Sequence, residues 1–346
     1  MKKTNQPPAP SGFKKHYRLL LHICILVISG LAFTFYVVHV NKKIEKSRQL
    51  VTNQSADFQS AFTLIRKNDV GLTRPLMLAD YETEALKFAP LKIQLTHTID
   101  QWNKRGVVQT ASVYLRELNQ GNWMSINGNE QYLPGSLMKV AIMLNFLKQE
   151  EITPGLLNKE LVCEKTVKSF PKQAYEGDSI ITGKRYKISE LLHYMIAESD
   201  NYATHVLSQH IDVKMFHTLF IDMEIPPDEI NDVNYKINVR EFSKLLRVLY
   251  NATYVNETLS EFGLHLLAGS KFMDGLAKKL PSDIVIAHKF GERGINNVSD
   301  FSESGIIYYK NDPYLLTIMT KGTDSREQAG LISELSNEVF LSMQQN

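Results

Sequence analysis

This sequence has few cysteines, a small net charge and no recognisable metal-ligand spacing. Its two cysteines among 346 residues are too few for a disulfide-built scaffold, a thiolate zinc site or an iron–sulfur cluster. The net charge of +2 gives no reason to expect a nucleic-acid partner. The ten histidines show no H-x-x-x-H pair, so the sequence predicts no metal and no other cofactor. A hydrophobic content of 43% is instead typical of a folded globular protein.

One long apolar run stands out, residues 19–40 (LLLHICILVISGLAFTFYVVHV), which carries no formal charge. As a helix rising about 1.5 Å per residue it would cover roughly 33 Å, which matches a hydrocarbon core of about 30 Å. A cleaved signal peptide is the alternative, but the run is long for a signal core and no clear small-x-small site follows it. We predict a retained single-pass anchor in the cell membrane. The flanking basic residues are too balanced to orient it, but either interpretation places the C-terminal part outside the cytoplasm, in the periplasm or at the cell exterior.

The rest of the chain divides at about residue 90. We assign 1–18 to a cytoplasmic tail and the polar residues 41–90 to a stalk or linker, because apolar residues recur there only at loose helical spacing. The spacing of Leu91, Leu95 and Trp102 predicts a helix that ends near Gly106. Alternation over Ala111–Leu118 predicts a strand, followed by a turn and a returning strand. We therefore assign 91–346 to one large domain, and we expect it to be a monomer.

The stretch Tyr132–Leu147 (YLPGSLMKVAIMLNFL) contains the first candidate for chemistry. We predict a helix that begins at Ser136, which would put Ser136 and Lys139 on one face. A lysine can accept the proton of a serine nucleophile when burial or a nearby cation lowers its pKa. The helix N-terminus would also stabilise a developing oxyanion. Alone, the S-x-x-K spacing is a weak signal, because it recurs at Ser11 and at Ser169.

Two further motifs follow in the chain. Ser199-Asp200-Asn201 lies between helical segments of residues 188–207, and its alternative interpretation is a helix N-cap. Lys289-Phe290-Gly291 follows the apolar run Ile284–Ala287, which is typical of a lysine that a strand delivers to a cleft. The three motifs are 63 and 90 residues apart, and their order and context carry more weight than any one of them.

Together the motifs resemble the S-x-x-K, S-D-N and K-T-G signature of class A β-lactamases and penicillin-binding proteins. The resemblance extends from Leu91 to Asn346, through SVYLRELNQGNWMSINGNEQYLPGSLMKV, ISELLHYMIAESDNYATHVL and VIAHKFGERG. It implies an α/β (α+β) fold of the β-lactamase and transpeptidase type. That fold has an antiparallel sheet flanked by helices, a helical lobe between the second and third strands, and a cleft between the two.

The resemblance also implies roles for individual residues. Ser136 would attack a β-lactam or a D-alanyl-D-alanine peptide, Lys139 would accept its proton, and Ser199 would relay it to the leaving nitrogen. Lys289 would supply positive potential. Asn201 would bind the substrate's amide, and backbone N–H groups of Ser136 and Glu292 would form the oxyanion hole. The substrate-binding residues it predicts are Asn201, Gly291, Glu292 and Arg293, and it requires no metal.

Two departures from the family's pattern bear on function. Phe290 stands where the motif has a hydroxyl that helps bind the substrate's carboxylate, and we expect Arg293 or a serine at 302 or 304 to substitute for it. Residues 219–239 lack the glutamate-bearing loop that activates the deacylating water, and we interpret their acids as a solvated connector. Without such a base an acyl-enzyme should be long-lived.

Three functions remain open at this point. The first is an extracytoplasmic serine hydrolase, a β-lactamase of slow turnover or a DD-peptidase, that forms an acyl-enzyme on Ser136. The second is a catalytically weak protein that binds or senses penicillin or peptidoglycan. The third is a structural envelope protein, which leaves the three motifs unexplained.

Overall fold

The computed structural model describes residues 62–68, 72–164, 174–175, 177–226, 234–295 and 297–345. The predicted tail, the predicted anchor over 19–40 and the first part of the predicted stalk lie outside the described residues. Within the described ranges no helix is long and apolar enough to cross a membrane. Residues Phe62–Asn346 form one compact unit.

Short strands and helices make up the first part of the described chain, and three long strands and a final helix follow. The strands are β1 (Phe62–Arg66), β2 (Leu76–Tyr81), β3 (Val108–Glu117), β4 (Trp123–Ile126), β5 (Glu160–Val162), β6 (Arg185–Lys187), β7 (Val285–Ile295), β8 (Val298–Tyr308) and β9 (Tyr314–Gly322). The α-helices are α1 (Ala89–Lys104), α2 (Lys139–Ile152), α3 (Ile188–Ile196), α4 (Asn201–Ser208), α5 (Val213–Asp222), α6 (Val239–Tyr250), α7 (Glu257–Ala268) and α8 (Ser325–Met343). Three 3₁₀ turns lie at Leu86–Phe88, Gly135–Met138 and Leu156–Asn158.

The central sheet has five antiparallel strands in the order β4-β3-β9-β8-β7. Helices α2 to α7 all lie in the chain between β4 and β7, so they form a helical lobe inserted between the second and third strands of this sheet. The predicted antiparallel sheet flanked by helices with a helical lobe is therefore confirmed. The strand predicted over 111–118 and the helix predicted from Leu91 are also found, as β3 and α1.

Alternating strand residues bury both faces of the sheet. On β9, Ile318 packs with the cluster that includes α1 and α8, while Met319 packs with the cluster that includes α2 and α6. Because successive side chains of a strand point to opposite faces, each long strand contributes to both cores. The near-continuous burial of β3, β8 and β9 follows from this two-sided packing.

Polar caps set where the helices of the lobe begin. Asn238 accepts hydrogen bonds from the backbone N–H groups of Arg240 and Glu241, and Glu241 accepts one from the N–H of Asn238, which makes a capping box for α6. Aspartate side chains cap α4, α5 and α8 in the same way. Such caps satisfy N–H groups that have no partner inside the helix.

The β1–β2 hairpin differs from the prediction for this part of the chain. We assigned residues 41–90 to a stalk, whereas residues 62–66 and 76–81 form an antiparallel hairpin within the compact unit. Ile65, Met77 and Leu78 are buried with the lobe's core, and Trp123 donates an indole hydrogen bond to the carbonyl of Tyr81 at 2.7 Å. Strands this short carry too little alternation to be recognised from sequence alone.

Candidate active site

The candidate nucleophile lies at the junction between the sheet and the helical lobe. Ser136 is part of the 3₁₀ turn Gly135–Met138, and α2 begins three residues later at Lys139. The helix predicted from Ser136 therefore begins with a tighter turn than an α-helix. Ser136 is half-buried and keeps some contact with solvent, whereas Lys139 is buried, so its amine is desolvated.

This turn touches strand β7 backbone to backbone. A Cβ atom on Gly291 would lie 2.3 Å from the carbonyl oxygen of Pro134, and one on Gly135 would lie 2.4 Å from the carbonyl oxygen of Glu292. Gly135 also has a φ of +51°, which favours glycine. The backbones of Ser136 and Glu292, whose N–H groups we predicted to form the oxyanion hole, are thus neighbours because no side chain separates them.

Lys139 is held by the S-D-N segment. Its Nζ donates hydrogen bonds to the carbonyl oxygen of Ser199 at 2.6 Å, to Ser199 Oγ at 3.2 Å and to Asn201 Oδ1 at 2.9 Å. Burial lowers the pKa of Lys139 to about 7, and the carboxylate of Asp200 acts in the opposite direction. Near neutral pH a substantial fraction of this amine is therefore unprotonated and able to accept a proton.

The S-D-N segment itself is fixed by Asp200. Its carboxylate caps α4, accepting hydrogen bonds from the N–H groups of Tyr202 and Ala203, and it accepts two more from Ser179 Oγ and the N–H of Ile180. The N-cap interpretation of this motif is therefore correct for Asp200. It does not compete with the catalytic interpretation, because the residues on either side, Ser199 and Asn201, contact Lys139.

Lys289 approaches the same serine from the sheet. Its Nζ donates to Ser199 Oγ at 2.9 Å and to the carbonyl oxygen of Phe290 at 3.1 Å, and the side chain is completely buried. Burial holds the pKa of Lys289 well below its ordinary value, as does the neighbouring Lys139, while Glu303 acts to raise it. The structure thus brings three of the predicted catalytic groups together in one hydrogen-bonded cluster.

The hydroxyl of Ser199 has a constrained orientation in this cluster. A hydroxyl oxygen has two lone pairs and one proton, and both lysines donate to Ser199 Oγ. Its proton is therefore left to donate to a group outside the lysine pair. Ser199 has a φ of +56°, an uncommon conformation for a residue other than glycine, so the backbone is strained where it presents this hydroxyl.

Phe290 follows Lys289 on β7, and the centroid of its ring lies 4.1 Å from Lys289 Nζ. Its ring is buried 4.4 Å from that of Phe272 and 6.0 Å from those of Tyr175 and Phe301, measured between centroids. The serines that we expected to replace the missing hydroxyl face the Lys289 side, because Ser302 pairs with Gly291 and Ser304 with Lys289. Both are fully buried, and Ser304 is already hydrogen-bonded to Thr317 at 2.6 Å.

Two predicted substrate-binding residues remain, Glu292 and Arg293. The side chain of Glu292 is held by hydrogen bonds, and that of Arg293 is exposed. The Glu292 carboxylate accepts hydrogen bonds from Ser325 Oγ at 2.6 Å and from the N–H of Ala174 at 2.9 Å, which fixes this part of β7. Arg293 is exposed and lies opposite Asp300 on β8. No hydrogen bond joins Arg293 to the other described site residues, so its predicted carboxylate role stays a prediction.

Glu303 is a site residue that the sequence analysis missed. Its carboxylate is fully buried and accepts hydrogen bonds from the N–H of Leu276 at 2.8 Å and from His288 at 2.6 Å. It is the charge that opposes desolvation of Lys289. The signal was the run of polar residues SES in the middle of this strand, of which we singled out only the serines.

Acidic and histidine side chains are the groups that could activate a water molecule or bind a metal ion. In the parts of the chain that the structure describes, no cluster of histidine, cysteine and acidic residues could hold a metal ion. Asp228, Glu229 and Asp232 of the predicted connector lie outside the described residues. Glu224 is exposed at the end of α5, and the acid that acts on Lys139, Asp200, already accepts four hydrogen bonds.

A known protein family and several solved structures resemble this chain. Residues 94–342 match the sequence model of a family described as the beta-lactamase enzyme family. Comparison with curated proteins gives no significant match.

Solved structures share the fold at low identity. PBP-A is 18% identical with a TM-score of 0.62, covering 75% of this chain and 97% of its own. A β-lactamase from Chitinophaga pinensis is 15% identical with a TM-score of 0.62, covering 72% and 99%. A class A β-lactamase from Bacteroides cellulosilyticus is 16% identical with a TM-score of 0.62, covering 74% and 99%. A mutant of PBP-A was solved as an acyl-enzyme with penicillin G.

Proposed function

The chain belongs to the beta-lactamase enzyme family of serine hydrolases, and from this premise we propose that it forms an acyl-enzyme on Ser136 with β-lactams or with D-alanyl-D-alanine peptides. The observation that carries the proposal is the shared hydrogen bonding of two desolvated lysines to Ser199 Oγ, one of which, Lys139, follows the partly exposed Ser136 by three residues. A purely structural protein gains nothing from two buried amines held beside each other, because each resists the charge of the other.

Acylation begins with proton transfer from Ser136. Neutral Lys139 accepts the proton of Ser136 Oγ as that oxygen bonds to the carbonyl carbon. The backbone N–H groups of Ser136 and Glu292 stabilise the oxyanion, and removing one such donor costs about 10²–10³ in rate in comparable enzymes. The carbonyl's C–N bond then breaks, which leaves an ester on Ser136 and an amine that needs a proton.

Ser199 supplies that proton. Since Lys139 and Lys289 both donate to its oxygen, its own O–H is available to the leaving nitrogen. As this proton leaves, the charged Lys139 returns the proton taken from Ser136 to Ser199 Oγ, so the net transfer is from the nucleophile to the leaving group. The positive potential of the two amines stabilises the oxygen in between.

Hydrolysis of the ester is the slow step in this proposal. The carboxylate beside Lys139 is Asp200, which is saturated by four donors and caps a helix, so it is poorly placed to activate water. A long-lived acyl-enzyme favours a DD-peptidase or a slowly turning β-lactamase over an efficient β-lactamase. The acyl-enzyme of the PBP-A mutant with penicillin G lends this reading support by analogy of fold.

Recognition of the substrate's carboxylate must differ from the family's usual pattern. Phe290 offers no hydrogen-bond donor. We propose that the exposed amine of Lys271 replaces the missing hydroxyl; Lys271 lines a cavity of about 120 Å³ together with Glu198, Asp274 and Phe290. Loss of the hydroxyl's charge-assisted bond would still weaken binding, by about 1.5–3 kcal/mol if nothing compensates.

The buried position of Phe290 favours a second candidate within the same site. A protein that binds or senses penicillin or peptidoglycan needs the pocket and the nucleophile but no turnover. The aromatic cluster of Phe290, Phe272 and Tyr175 beside Lys289 suits binding through apolar contact. Both candidates include the same covalent step, and they differ in the lifetime of its product.

The location of the protein is part of the proposal. Residues 19–40 would anchor the chain in the cell membrane with the folded unit outside the cytoplasm, where peptidoglycan peptides and β-lactams are found. Fractionation of cells and protease treatment of intact spheroplasts test this. Protein that remains in the soluble cytoplasmic fraction would contradict it.

Labelling with a fluorescent penicillin tests the chemistry. The full chain is incubated with the probe, and label retained after denaturation is followed together with probe hydrolysis. Persistent label supports the slow acyl-enzyme, and label that clears within seconds supports an efficient β-lactamase. Absence of label on a folded protein contradicts every catalytic version.

Ser136→Ala is the matched control, because it removes one oxygen from a half-buried side chain. It should abolish labelling and leave the circular dichroism spectrum unchanged. Label that persists in this variant would assign the nucleophile to another residue.

A further inference from the structure

A second cavity lies away from the candidate active site, where the N-terminal hairpin meets the sheet. Its volume is about 320 Å³, and its lining combines apolar and aromatic side chains with two arginines; it includes Phe62, Leu76, Tyr81, Arg116, Arg247 and Asn251. Among the described residues that line it there is no aspartate or glutamate. The cavity therefore pairs positive charge with an apolar wall.

The two arginines share a single carboxylate. Arg247 donates to both oxygens of Asp80, at 3.1 Å through Nη1 and at 2.5 Å through Nη2, and Arg116 Nη1 lies 2.9 Å from Asp80 Oδ1. The side chains of Arg116 and Arg247 are 7% and 3% exposed. In the part of the chain that the structure describes, Asp80 is the one carboxylate that pairs with these two nearly buried guanidinium groups, which leaves one positive charge without a counterion in a desolvated place, a costly arrangement.

The hydrogen-bonding capacity of the arginines is not exhausted either. Besides Asp80, both groups donate to the carbonyl oxygen of Ala79. Arg116 Nη1 is buried and makes no hydrogen bond with the described residues despite its ion pair. Each guanidinium has five N–H donors in a planar fork that suits a carboxylate. The two arginines that line the cavity therefore retain a donor without a hydrogen bond, at Arg116 Nη1.

The hairpin that contributes to this cavity precedes the residues that the family model matches. The family match spans 94–342, whereas β1 and β2 lie before it, at 62–66 and 76–81. Asp80 belongs to this hairpin, while Arg116 and Arg247 belong to the matched domain. The cavity thus lies between the hairpin and the matched domain, and none of its lining residues belongs to the cluster at Ser199.

We propose that this cavity binds a small amphipathic carboxylate, whose charged end completes the Arg116–Asp80–Arg247 cluster and whose apolar part lies against Phe62, Leu76 and Tyr81. One residual positive charge matches a monoanion better than a phosphate dianion. At roughly 30 Å³ per water-sized volume, the cavity holds about ten non-hydrogen atoms. The chemistry of recognition is a bidentate guanidinium–carboxylate contact plus burial of a short hydrocarbon or aromatic group.

Hexanoate, with its neutral isostere hexanamide, is the probe for the test, measured by isothermal titration calorimetry on the full chain. Hexanoate should bind saturably, and hexanamide at least tenfold more weakly. Inorganic phosphate should bind more weakly than hexanoate. Tighter binding of phosphate, equal binding of hexanamide or no binding of hexanoate would each overturn the proposal.

Variants at an exposed position of the cavity test whether hexanoate binds there or in the active site, and they leave the buried arginines intact. Asn251 is exposed at the cavity's rim, so Asn251→Trp should fill the space while Asn251→Ser leaves it open. We expect Asn251→Trp to weaken hexanoate binding at least tenfold relative to Asn251→Ser, and Ser136→Ala to bind like the unmodified chain. Equal affinities of the two Asn251 variants, or loss of binding in Ser136→Ala, would place the ligand elsewhere.

Discussion

The pKa of Lys139 gives the sharpest test of the proposed chemistry. Burial lowers this pKa to about 7, and acylation requires the neutral amine. The neutral fraction is about one-eleventh at pH 6 and about ten-elevenths at pH 8, so the acylation rate should rise about tenfold between them and then level off. Asn201→Asp changes this profile in a defined direction.

Asn201 Oδ1 accepts a hydrogen bond from Lys139 Nζ at 2.9 Å, so an aspartate there puts a negative charge beside the amine. An opposite charge at this distance stabilises the ammonium form and raises a pKa by about 1–3 units. At pH 7 the neutral fraction, and with it the acylation rate, should fall by about 5- to 500-fold. Above the new pKa the rate should recover, because the base itself is intact.

The assay is the first-order rate constant of labelling by saturating fluorescent penicillin, measured from pH 5 to pH 10. Lys139→Arg, which stays charged throughout, should be inactive at every pH and serves as the control. A midpoint that is the same in Asn201→Asp and the unmodified chain would refute the role of Lys139 as base. So would a rate that does not depend on pH.

Three further outcomes follow from the geometry. Ser199→Ala should lower the acylation rate by about 10²–10⁴, the usual contribution of a positioned proton donor, and leave the fold intact by circular dichroism; a rate within threefold of the unmodified chain would exclude the relay. Phe290→Ala should lower the free energy of unfolding by about 3–5 kcal/mol in urea titrations, because it empties a buried aromatic cluster; an unchanged midpoint would contradict the packing. Gly291→Ala should abolish labelling, since its Cβ would lie 2.3 Å from the carbonyl oxygen of Pro134, and full labelling of this variant would show that the turn can move.

The cluster of Lys139, Ser199 and Lys289 could be predicted because three motifs of chemically reactive residues follow one another along the chain in a recognisable order. Three polar motifs at suitable spacing predicted the convergence of Lys139, Ser199 and Lys289, and the hydrogen bonds of both amines to Ser199 Oγ bear out that placement. The roles of these residues remain predictions until labelling is measured. The sheet and lobe were equally accessible, because long alternating strands and capped helices leave periodic patterns.

The parts that sequence did not reveal depend on contacts between distant segments. The N-terminal hairpin is recognisable only through the burial of Met77 and Leu78 against the lobe. Phe290 was noted as a missing hydroxyl, but the partners that bury its ring, among them Phe272, are not neighbours in the sequence. Glu303 escaped notice because its effect on Lys289 depends on the pairing of β7 with β8.

The left-handed backbone at Ser199 has a consequence for what the site can tolerate. Threonine would supply the same hydroxyl, yet a β-branched side chain is a marked outlier at a φ of +56°. Backbone sterics therefore favour serine over threonine at position 199, although both side chains carry a hydroxyl. Substitutions at position 199 are limited to residues that tolerate a positive φ, and among these only serine also carries a hydroxyl.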